Sequence, residues 1–386
     1  MLTANQLSLY KNLMKLSEDS EMFFKVDQCT PMQTKVRIFS YRLGSYIDWV
    51  KPDAIESRGI MFEMVDDEPV NLLSRPMEKF FNYSEVKAWQ KIHDCPILIG
   101  DVLDVLVKED GSLVSTFMDG GYVALKSKGS TTSDQAYEAT SLMYSPEYAN
   151  TYEFARNRMA ELAKQGYTCN LEYVAPTNRI VVGYESPKLI LLNIRNNDTG
   201  EYVDYADIFA DKDLRGILVK REPVEITDLD EFAEYVYGLE GFEGYVVKTT
   251  KGCVKIKTNW YVNLHRTKDT LGNNKDLFMA ISESQSDDLK QLFLDDPVAL
   301  KKIIQVEDKF ISSLNDLIST SNEFIKTNKD KSRKDFAIAL GKNQSNAIIF
   351  GAVMNWYTSR DIDAMVKDII KSMQNNFKQF IPVEYQ

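Results

Sequence analysis

Over the first two thirds of the chain, apolar and polar residues alternate in short runs that end at turn residues. This period of two is typical of β-strands with one buried face. It occurs in IMFEM at residues 60–64 and on both sides of the Asp-Gly at 110–111. Asp-Gly favours a turn because glycine adopts backbone angles that other residues resist. We therefore predict a hairpin over residues 105–117, which continues through a second turn at 119–121 into a three-stranded meander.

Helical and strand patterns alternate further along the chain. Residues 132–165 have the apolar spacing of a helix, and strand patterns return over residues 168–195 in TCNLEYVAP, RIVVGY and KLILLNIR. Residues 228–239 are predicted to form another helix. Residues 243–261 are predicted to form a second hairpin that turns at Lys251-Gly252. The candidate core residues of the first helical segment are Leu142, Phe154, Met159 and Leu162.

The pattern changes in the last third of the chain. Residues 273–340 contain no glycine, and the strand-like alternation ends. Asp-Pro at 296–297 has the form of a helix start, with aspartate as the N-cap and proline at the first helical position. We therefore predict an α+β protein with antiparallel sheets and flanking helices in an N-terminal domain over residues 1–260. An all-helical C-terminal domain follows over residues 261–386.

The composition removes whole classes of chemistry. The four cysteines are far apart and form no CxxC pair, and neither His93 nor His265 has a second ligand at metal-binding spacing. This disfavours a zinc site, a disulfide framework and a histidine-based catalytic triad. Any catalysis must therefore use lysine, arginine and carboxylate side chains.

The charge distribution qualifies the picture of an acidic protein. A net charge of −11 at first disfavours a nucleic-acid partner. However, the acidic excess lies within residues 1–265, because acidic and basic residues balance over 266–386. Lys326, Lys329, Lys331, Arg333 and Lys334 face only one acidic residue in the same stretch. This basic segment could bind phosphates, or it could be a solvated turn between helices.

The chain carries no pattern of a membrane protein. No apolar run approaches the roughly 18 residues that a membrane helix needs. The amphipathic N-terminus lacks the basic region and the continuous apolar core of a signal peptide. We therefore expect a soluble intracellular protein.

Lys108 is the first candidate for chemistry. It lies at the end of the first predicted hairpin strand and is followed by Glu109 and Asp110. A lysine on such a rigid element can act as a nucleophile if its ammonium group loses a proton. Taken alone, KxDG also fits a surface hairpin with a charged tip.

Other charged residues occur where an anionic ligand would explain them. Arg58 precedes a glycine, so a guanidinium lies beside backbone that a ligand can approach closely. Lys79 precedes two phenylalanines that could stack on a base. Glu172 lies in an apolar strand, where a carboxylate is costly to bury without a partner. Lys255 and Lys257 share one face of a strand, which fits either a bound polyanion or a solvent-facing edge.

In combination, these residues resemble a known superfamily. The ordered set of Arg58-Gly, the KxDG at Lys108, Glu172, Glu243-Gly and the KxK at 255–257 resembles the covalent nucleotidyltransferases. These comprise ATP-dependent DNA and RNA ligases and mRNA capping enzymes. The chain is further similar to the tRNA-repair RNA ligases of T-even bacteriophages, through SRGIMFEM, SRPMEKFFN, KEDGSLVST, KSKGS, VAPTNRIV, LLNIR and the closing FKQFIP. The resemblance covers nearly the whole chain.

One departure distinguishes the branches of the superfamily. DNA ligases and capping enzymes usually follow the lysine-pair strand with a β-rich OB domain, whereas helices are predicted to follow it here. This favours the phage RNA ligase branch, whose helical domain is linked to the choice of broken tRNA anticodon loops.

The resemblance also implies roles for individual residues. Lys108 would attack the α-phosphorus of ATP to form a lysine-AMP phosphoramidate, and neighbouring cations or a bound metal would favour its neutral amine. Lys255 and Lys257 would touch the phosphates, Glu172 the ribose or a metal-bound water, and Glu243 would organise metal and lysine. Tyr41, Arg58 and Lys79 match further ATP contacts, Lys128 and Tyr261 match positions of the later steps, and Asp287 matches a metal-associated position. Asp287 also fits a plain helix start.

The implied function is ATP-dependent sealing of 5′-phosphate and 3′-hydroxyl ends of single-stranded RNA, with Mg²⁺ bridging phosphate oxygens. The implied substrate is nicked tRNA, and the protein would act as a monomer in the cytoplasm of an infected bacterial cell. A capping-type guanylyltransferase is the alternative within the superfamily. A catalytically inactive RNA-binding protein on a ligase scaffold is the alternative from another class.

Overall fold

The computed structural model shows a mixed α+β protein with a helical C-terminal part. It describes residues 2–42, 45–93, 95–178, 180–283, 286, 289–290, 293, 296–342 and 347–386, without the side chains of residues 266–271. The chain divides into two compact units, Met1–Val262 and Asn263–Gln386. Within the described residues, no helix combines the length and the apolar character that a membrane crossing requires.

The first unit contains all the strands that the structure describes. These are β1 (Phe23–Cys29), β2 (Lys35–Tyr41), β3 (Ile60–Val65), β4 (Glu68–Ser74), β5 (Phe81–Asn82), β6 (Val102–Lys108), β7 (Ser112–Asp119), β8 (Tyr122–Lys126), β9 (Tyr167–Val174), β10 (Lys188–Asn196), β11 (Gly244–Thr249) and β12 (Gly252–Lys257). Its helices are α1 (Ala4–Asp19), α2 (Tyr46–Trp49), α3 (Tyr83–Ile92), α4 (Asp134–Tyr144), α5 (Ala149–Lys164), α6 (Tyr205–Ala210), α7 (Leu229–Tyr237) and the start of α8 (Asn259–Gly272).

In the described residues, the strands form three four-stranded sheets. Sheet I is the antiparallel meander β1-β2-β3-β4. Sheet II has the order β10-β9-β7-β8 and is also antiparallel. Sheet III has the order β5-β12-β11-β6, in which only β5 and β12 are parallel. The hairpin predicted over residues 243–261 is confirmed as β11 and β12, but its turn is Thr250-Lys251, one residue before the predicted position, and residues 259–261 begin α8.

The first predicted hairpin is wrong. Strands β6 and β7 do not pair with each other, since β6 belongs to sheet III and β7 to sheet II. The Asp110 carboxylate is buried, and its Oδ2 accepts hydrogen bonds from the amides of Val181 and Val182 at 2.7 Å. A Cβ on Gly111 would lie 2.4 Å from the carbonyl oxygen of Tyr173, so the chain passes too close to β9 for any other residue. The turn is therefore held inside the protein, where it links two sheets.

Three other predicted elements also differ from the structure. The meander is reduced to β7 and β8, and the described part of RIVVGY, residues 180–184, forms no strand. The helix predicted over residues 132–165 is broken at Ser145-Pro146 into α4 and α5, because proline cannot continue an α-helix that precedes it. Phe154 is 67% exposed and is not part of the core.

The apolar residues of the first unit bury separate cores. One includes residues of α1, sheet I, sheet III and α7, such as Leu13, Phe62 and Val247. Another joins sheet II to α4 and α5 through residues such as Met143 and Leu171. Burial of such a side chain contributes roughly 1.5–3 kcal/mol. The buried faces of the alternating strands thus hold the sheets in place. The charged residues of interest lie near the ends of these strands.

All the regular elements described in the second unit are helices. Its helices are α9 (Asn274–Ser282), α10 (Pro297–Asn328), α11 (Arg333–Gly341), α12 (Phe350–Ser359) and α13 (Ile362–Asn375), and the C-terminal part of α8 also belongs to it. The predicted helix start is confirmed, since the Asp296 side chain caps the Ala299 amide and Pro297 is the first helical residue. Its core includes Phe278, Ile303, Phe336 and Met365. The basic segment spans the last turn of α10, the connecting turn and the first residues of α11, and its five basic side chains are exposed.

Candidate active site

The centre of the site is set by the register of sheet III. Gly244, the first residue of β11, pairs with Lys108 on one side and with Lys257 on the other. The preceding residue, Glu243, is 3% exposed and lies between the two lysines. Its Oε2 accepts from Lys108 Nζ at 2.8 Å, and its Oε1 accepts from Lys257 Nζ at 2.8 Å. A Cβ on Gly244 would lie 2.1 Å from the Ile256 carbonyl oxygen, so this close strand approach requires glycine.

Lys255 lies two residues before Lys257 on the same face of β12. Burial, together with the nearby cations Lys79, Lys257, Lys108 and Arg58, lowers the pKa of Lys255 to about 7. Both effects disfavour the charged form of Lys255. A bound anion would therefore stabilise the charged form of Lys255.

Arg58 and Lys79 bring two more cations to the same region. The Arg58 guanidinium lies 5.2 Å from the Phe80 ring centroid, and Lys255 Nζ lies 5.9 Å from the same centroid. Lys79 Nζ lies 5.3 Å from the Tyr41 ring centroid and 5.4 Å from two further aromatic rings. Burial lowers the pKa of Lys79, and Arg58 adds to this effect. Such aromatic faces stabilise a cation without neutralising it.

Glu172 supplies a carboxylate from sheet II. It lies on β9, opposite Leu113 of β7, and accepts a hydrogen bond from the Gly111 amide at 3.2 Å. Burial raises the pKa of Glu172 to about 7, although Lys108 opposes this shift. The buried strand carboxylate thus has a backbone donor and a nearby cation as partners. Glu172 lies on sheet II, whereas Lys108 lies on sheet III.

A cavity of about 240 Å³ opens beside these residues. Arg58, Lys108, Glu109 and Glu172 contribute polar groups to its wall. Its apolar lining includes Phe80, Leu106, Val107, Leu113 and Val246. A cavity with an apolar lining and several charged groups is suited to a flat base and a phosphate chain.

A second cavity, of about 370 Å³, shares Arg58 and Leu113 with the first. Tyr41 and Lys128 also line it, and Lys128 Nζ lies 4.2 Å from the Tyr41 ring centroid. Lys128 follows the end of β8 and is not a strand residue.

Tyr261 closes the site from the start of α8, within the first unit. Its hydroxyl donates to Asp110 Oδ1 at 2.7 Å, and its ring centroid lies 4.9 Å from Lys257 Nζ. Burial raises the pKa of the Tyr261 hydroxyl above its usual range. Asp110 therefore links the turn after Lys108 to the helix after Lys257. The sequence pattern marked Asp110 as a turn residue only, because alternation does not reveal a buried carboxylate.

Lys126 has a different role from its neighbour Lys128. It is 1% exposed, and its ammonium group donates to the Gly59 carbonyl at 2.5 Å and to the Ser127 carbonyl at 2.9 Å. Burial lowers the pKa of Lys126 to about 7. Gly59 has φ +93°, and a Cβ there would lie 2.6 Å from the Lys128 carbonyl oxygen. Lys126 is thus held inside the protein, whereas Lys128 lines the second cavity.

Five of the residues predicted for the site line the two cavities: Tyr41, Arg58, Lys108, Lys128 and Glu172. Lys79, Glu243, Lys255, Lys257 and Tyr261 line neither cavity and are connected to them through the contacts given above. Asp287 is outside the described residues. Among the described residues, no group of three or more His, Cys, Asp or Glu side chains is placed to hold a metal ion. Both carboxylate oxygens of Glu243 accept from lysines. The described protein donors therefore do not form a resident magnesium cage.

Comparison with protein families gives two matches. The family model described as RNA ligase matches residues 56–261. The model described as T4 RNA ligase 1, C-terminal domain, matches residues 268–385. The first match includes the predicted site residues from Arg58 to Tyr261, and the second includes Asp287.

Individual proteins are also similar. RNA ligase 1 of Bacteriophage TS2126 is 30% identical over 262 residues, which cover 65% of this chain and 62% of that protein. The chain thus spans less than two thirds of that relative. A Naegleria gruberi RNA ligase structure with PPi has a TM-score of 0.38 and 13% identity, covering 53% of this chain and 65% of that one. A mutant of the same ligase with ATP and Mn has a TM-score of 0.34 and 14% identity, covering 44% and 52%.

Proposed function

Because the chain belongs to the RNA ligase family, we propose that it is an ATP-dependent RNA ligase that joins 5′-phosphate to 3′-hydroxyl ends of single-stranded RNA. The observation that carries this proposal is the arrangement of Lys108, Glu243 and Lys257. One buried carboxylate holds a candidate nucleophile and a candidate phosphate-binding cation at 2.8 Å each, beside a cavity of nucleotide character.

In the first step, the neutral Lys108 amine attacks the α-phosphorus of ATP. A P–N bond forms, the bond from the α-phosphorus to the bridging oxygen breaks, and pyrophosphate leaves with the electron pair. The proton of the amine passes to solvent or to the leaving group. Lys255, Lys257 and Arg58 stabilise the phosphate charge in the transition state, since cations held in a buried site act more strongly than in water. Glu172 would contact the ribose or a metal-bound water.

In the second step, an oxygen of the RNA 5′-phosphate attacks the phosphorus of lysine-AMP. The P–N bond breaks, Lys108 takes up a proton, and AMP-RNA is formed. In the third step, the 3′-hydroxyl of the other end attacks the RNA 5′-phosphorus, AMP leaves, and the hydroxyl proton is released. Lys128, which lines the second cavity, and Tyr261 are proposed to act in these later steps. The cavity shares Arg58 with the first and can hold an anionic RNA end beside the nucleotide.

The divalent metal is proposed to be Mg²⁺ that enters with the ATP phosphates. The described residues offer no three-carboxylate cage for a resident ion, so the phosphate oxygens would supply much of its coordination. The metal would neutralise phosphate charge. Asp287 stays a candidate for a metal-associated role.

The C-terminal unit is proposed to select the RNA, with nicked tRNA as the substrate. Support comes from the family match over residues 268–385 and from the exposed basic segment that spans the end of α10 and the start of α11. Exposed lysines and arginines bind phosphates at the cost of salt sensitivity. We propose that the protein acts as a monomer in the cytoplasm of an infected bacterial cell.

The decisive experiment is incubation with ATP labelled at the α-phosphate and with Mg²⁺, followed by denaturing electrophoresis. Wild type should retain label that is lost in acid and survives alkali, as a phosphoramidate does. Lys108→Ala should retain none. Lys35→Ala, which removes an exposed lysine of sheet I, should label as wild type does. Ligation of 5′-phosphorylated RNA is the next test.

The other outcomes separate the alternatives. Label from GTP with none from ATP would assign a capping-type guanylyltransferase. Label from neither nucleotide, combined with RNA binding, would assign an inactive RNA-binding protein on a ligase scaffold.

A further inference from the structure

A second charged cluster lies buried in the first unit, and neither the sequence pattern nor the proposed chemistry accounts for it. We call Glu56, Arg75 and Arg195 the anchor cluster; their exposed fractions are 7%, 8% and 2%. Glu56 Oε1 accepts from Arg75 Nη2 at 2.8 Å and from Arg195 Nη2 at 2.7 Å. Glu56 Oε2 accepts from Arg195 Nη1 at 2.8 Å. Burial would raise the pKa of Glu56, but the two guanidinium groups outweigh it and lower the pKa.

The arginines of this cluster also bind the backbone of distant segments. Arg195, on β10, donates to the carbonyl of Pro76 at 2.8 Å and to that of Gly200 at 2.8 Å. Arg75 donates to the carbonyl of Asp198 at 3.0 Å. The cluster therefore joins the segment after β4 to β10 and to the turn that follows β10.

Two of the joined segments carry the cations of the nucleotide site. Glu56 lies two residues before Arg58, and Arg195 donates to the side chain of Glu78, directly before Lys79, at 3.2 Å. The segments are also bonded to each other. Arg58 Nη1 donates to the Glu78 carbonyl at 3.1 Å, and the Lys79 amide donates to the Ile55 carbonyl at 2.8 Å.

The anchor cluster does not face the nucleotide cavity. None of its three described side chains lines that cavity, whereas Arg58 and Glu78 do. Any effect on the reaction must therefore pass through the residues that it holds. Its charges also need an explanation, because a buried ion cluster is often no more stable than apolar residues of the same volume. A rigid guanidinium fork that binds four acceptors fixes geometry in a way that an apolar contact cannot.

We propose that the anchor cluster positions Arg58 and Lys79 for the phosphates of ATP, so that its arginines determine ATP affinity without touching the nucleotide. This inference rests on the proposed ATP-dependent activity. Its consequence is a separation of kinetic parameters. A loosened cluster weakens ATP binding more than it slows the attack by Lys108, which is held independently by Glu243.

The first test compares Arg195→Lys with Arg37→Lys. Arg37 is a matched control because it is also a buried arginine of the first unit. Its side chain donates to Asp27 and Tyr10, and not to the segments that carry Arg58 and Lys79. Lysine keeps the charge but cannot bind two carboxylates and two carbonyls at once. The measurement is the rate of lysine-AMP formation against ATP concentration, with the melting temperature of each variant.

We expect Arg195→Lys to raise the ATP concentration for half-maximal rate by about 10- to 100-fold, with a much smaller change in the maximal rate. Arg37→Lys should lower the melting temperature comparably and leave the ATP dependence unchanged. An equal shift in both variants, or no shift in Arg195→Lys, would overturn the proposal. If wild type forms no lysine-AMP, the proposed function itself has failed, which is a distinct result.

A second pair of variants tests the same proposal from another side. A Cβ on Gly200 would lie 2.6 Å from Arg75 Nη2, whereas no described atom lies within 4 Å of a Cβ on Gly166. Both glycines have positive φ, +78° and +83°, so alanine brings similar backbone strain to each. Gly200→Ala should raise the ATP concentration for half-maximal rate, as Arg195→Lys does, whereas Gly166→Ala should leave it unchanged. Equal ATP dependence in the two alanine variants would count against the anchor role.

Discussion

The first unit contains two charge clusters, the buried anchor cluster and a half-buried cluster at the active site, and their charges are balanced in different ways. In the anchor cluster, Glu56 lies between two guanidinium groups, Glu78 adds a second carboxylate beside Arg195, and backbone carbonyls accept the further donors. In the active-site cluster of Arg58, Lys79, Lys108, Lys255 and Lys257, with Glu172 and Glu243, cations outnumber carboxylates. The lowered pKa values of Lys79 and Lys255 show that burial and mutual repulsion oppose their charge.

The two clusters are therefore suited to different tasks. The anchor cluster holds chain segments in position, and the active-site cluster is suited to binding an anion. A closed cluster satisfies its own charges, so it can hold chain segments but has nothing left for a ligand. An open cluster is costly until an anion arrives, and the relief of that cost contributes to anion binding. Functional sites commonly lower the stability of a folded protein in this way.

The largest expected effect comes from the carboxylate at the centre of the open cluster. Glu243→Gln keeps the shape but removes the charge that holds Lys108 and Lys257 together. We expect lysine-AMP formation to slow by at least about 100-fold. The exposed Glu240 gives the control, since Glu240→Gln should react at the wild-type rate. A normal rate in Glu243→Gln would show that the two lysines do not need the carboxylate.

The next effect breaks the closed cluster. Glu56→Gln leaves two buried guanidinium groups facing a neutral amide, so the free energy of unfolding should fall by about 3–5 kcal/mol. Denaturation in urea measures this loss. Glu201→Gln, at an exposed residue near the same turn, should change little. Unchanged stability in Glu56→Gln would mean that the cluster is not closed in solution.

Neutralising a charge in the open cluster should have the opposite sign. Lys255→Met removes a half-buried cation, and we expect it to raise the melting temperature by about 2–4 °C at pH 7 while it reduces adenylylation. Because the pKa of Lys255 falls from 10.5 to about 7 on folding, the folded state binds fewer protons than the unfolded state between these values. Lowering the pH through this window therefore destabilises wild type.

The gain of Lys255→Met should accordingly shrink as the pH is raised toward 10.5, the usual pKa of lysine. Melting curves at several pH values measure it. The exposed Lys251 lies in the turn of the same hairpin, and Lys251→Met should show no such dependence. A loss of stability in Lys255→Met at pH 7 would contradict the open-cluster description.

The smallest effect concerns Glu172. Burial raises its pKa from 4.5 to about 7, so the folded state binds more protons than the unfolded state within this range. Raising the pH through the range destabilises wild type, and Glu172→Gln removes that dependence. We expect a gain of about 2 °C in melting temperature above pH 7 that vanishes near pH 4.5. Glu185→Gln, at an exposed residue, should match wild type at every pH, and a pH-independent gain in Glu172→Gln would exclude this cause.

Local patterns account for the parts of the fold that were predicted correctly. The β11–β12 hairpin depends on alternation and on a turn that both lie within one short segment. The start of α10 likewise depends on Asp296 and Pro297 alone. The same reasoning failed for residues 105–117, because alternation and Asp-Gly specify two strands and a turn but not the partner of each strand. It also missed the anchor cluster, whose three members lie in three distant segments.

The sequence by itself determined the residue types of the site, their order, and the spacing that places Lys255 and Lys257 on one face. These properties are local or are carried by motif resemblance. Only the tertiary structure decided that Lys108 and Glu172 come from different sheets, that Glu243 joins two lysines, and that Lys126 is buried while Lys128 lines a cavity. Burial and charge pairing depend on segments that are distant in the chain, and no local pattern contains that information.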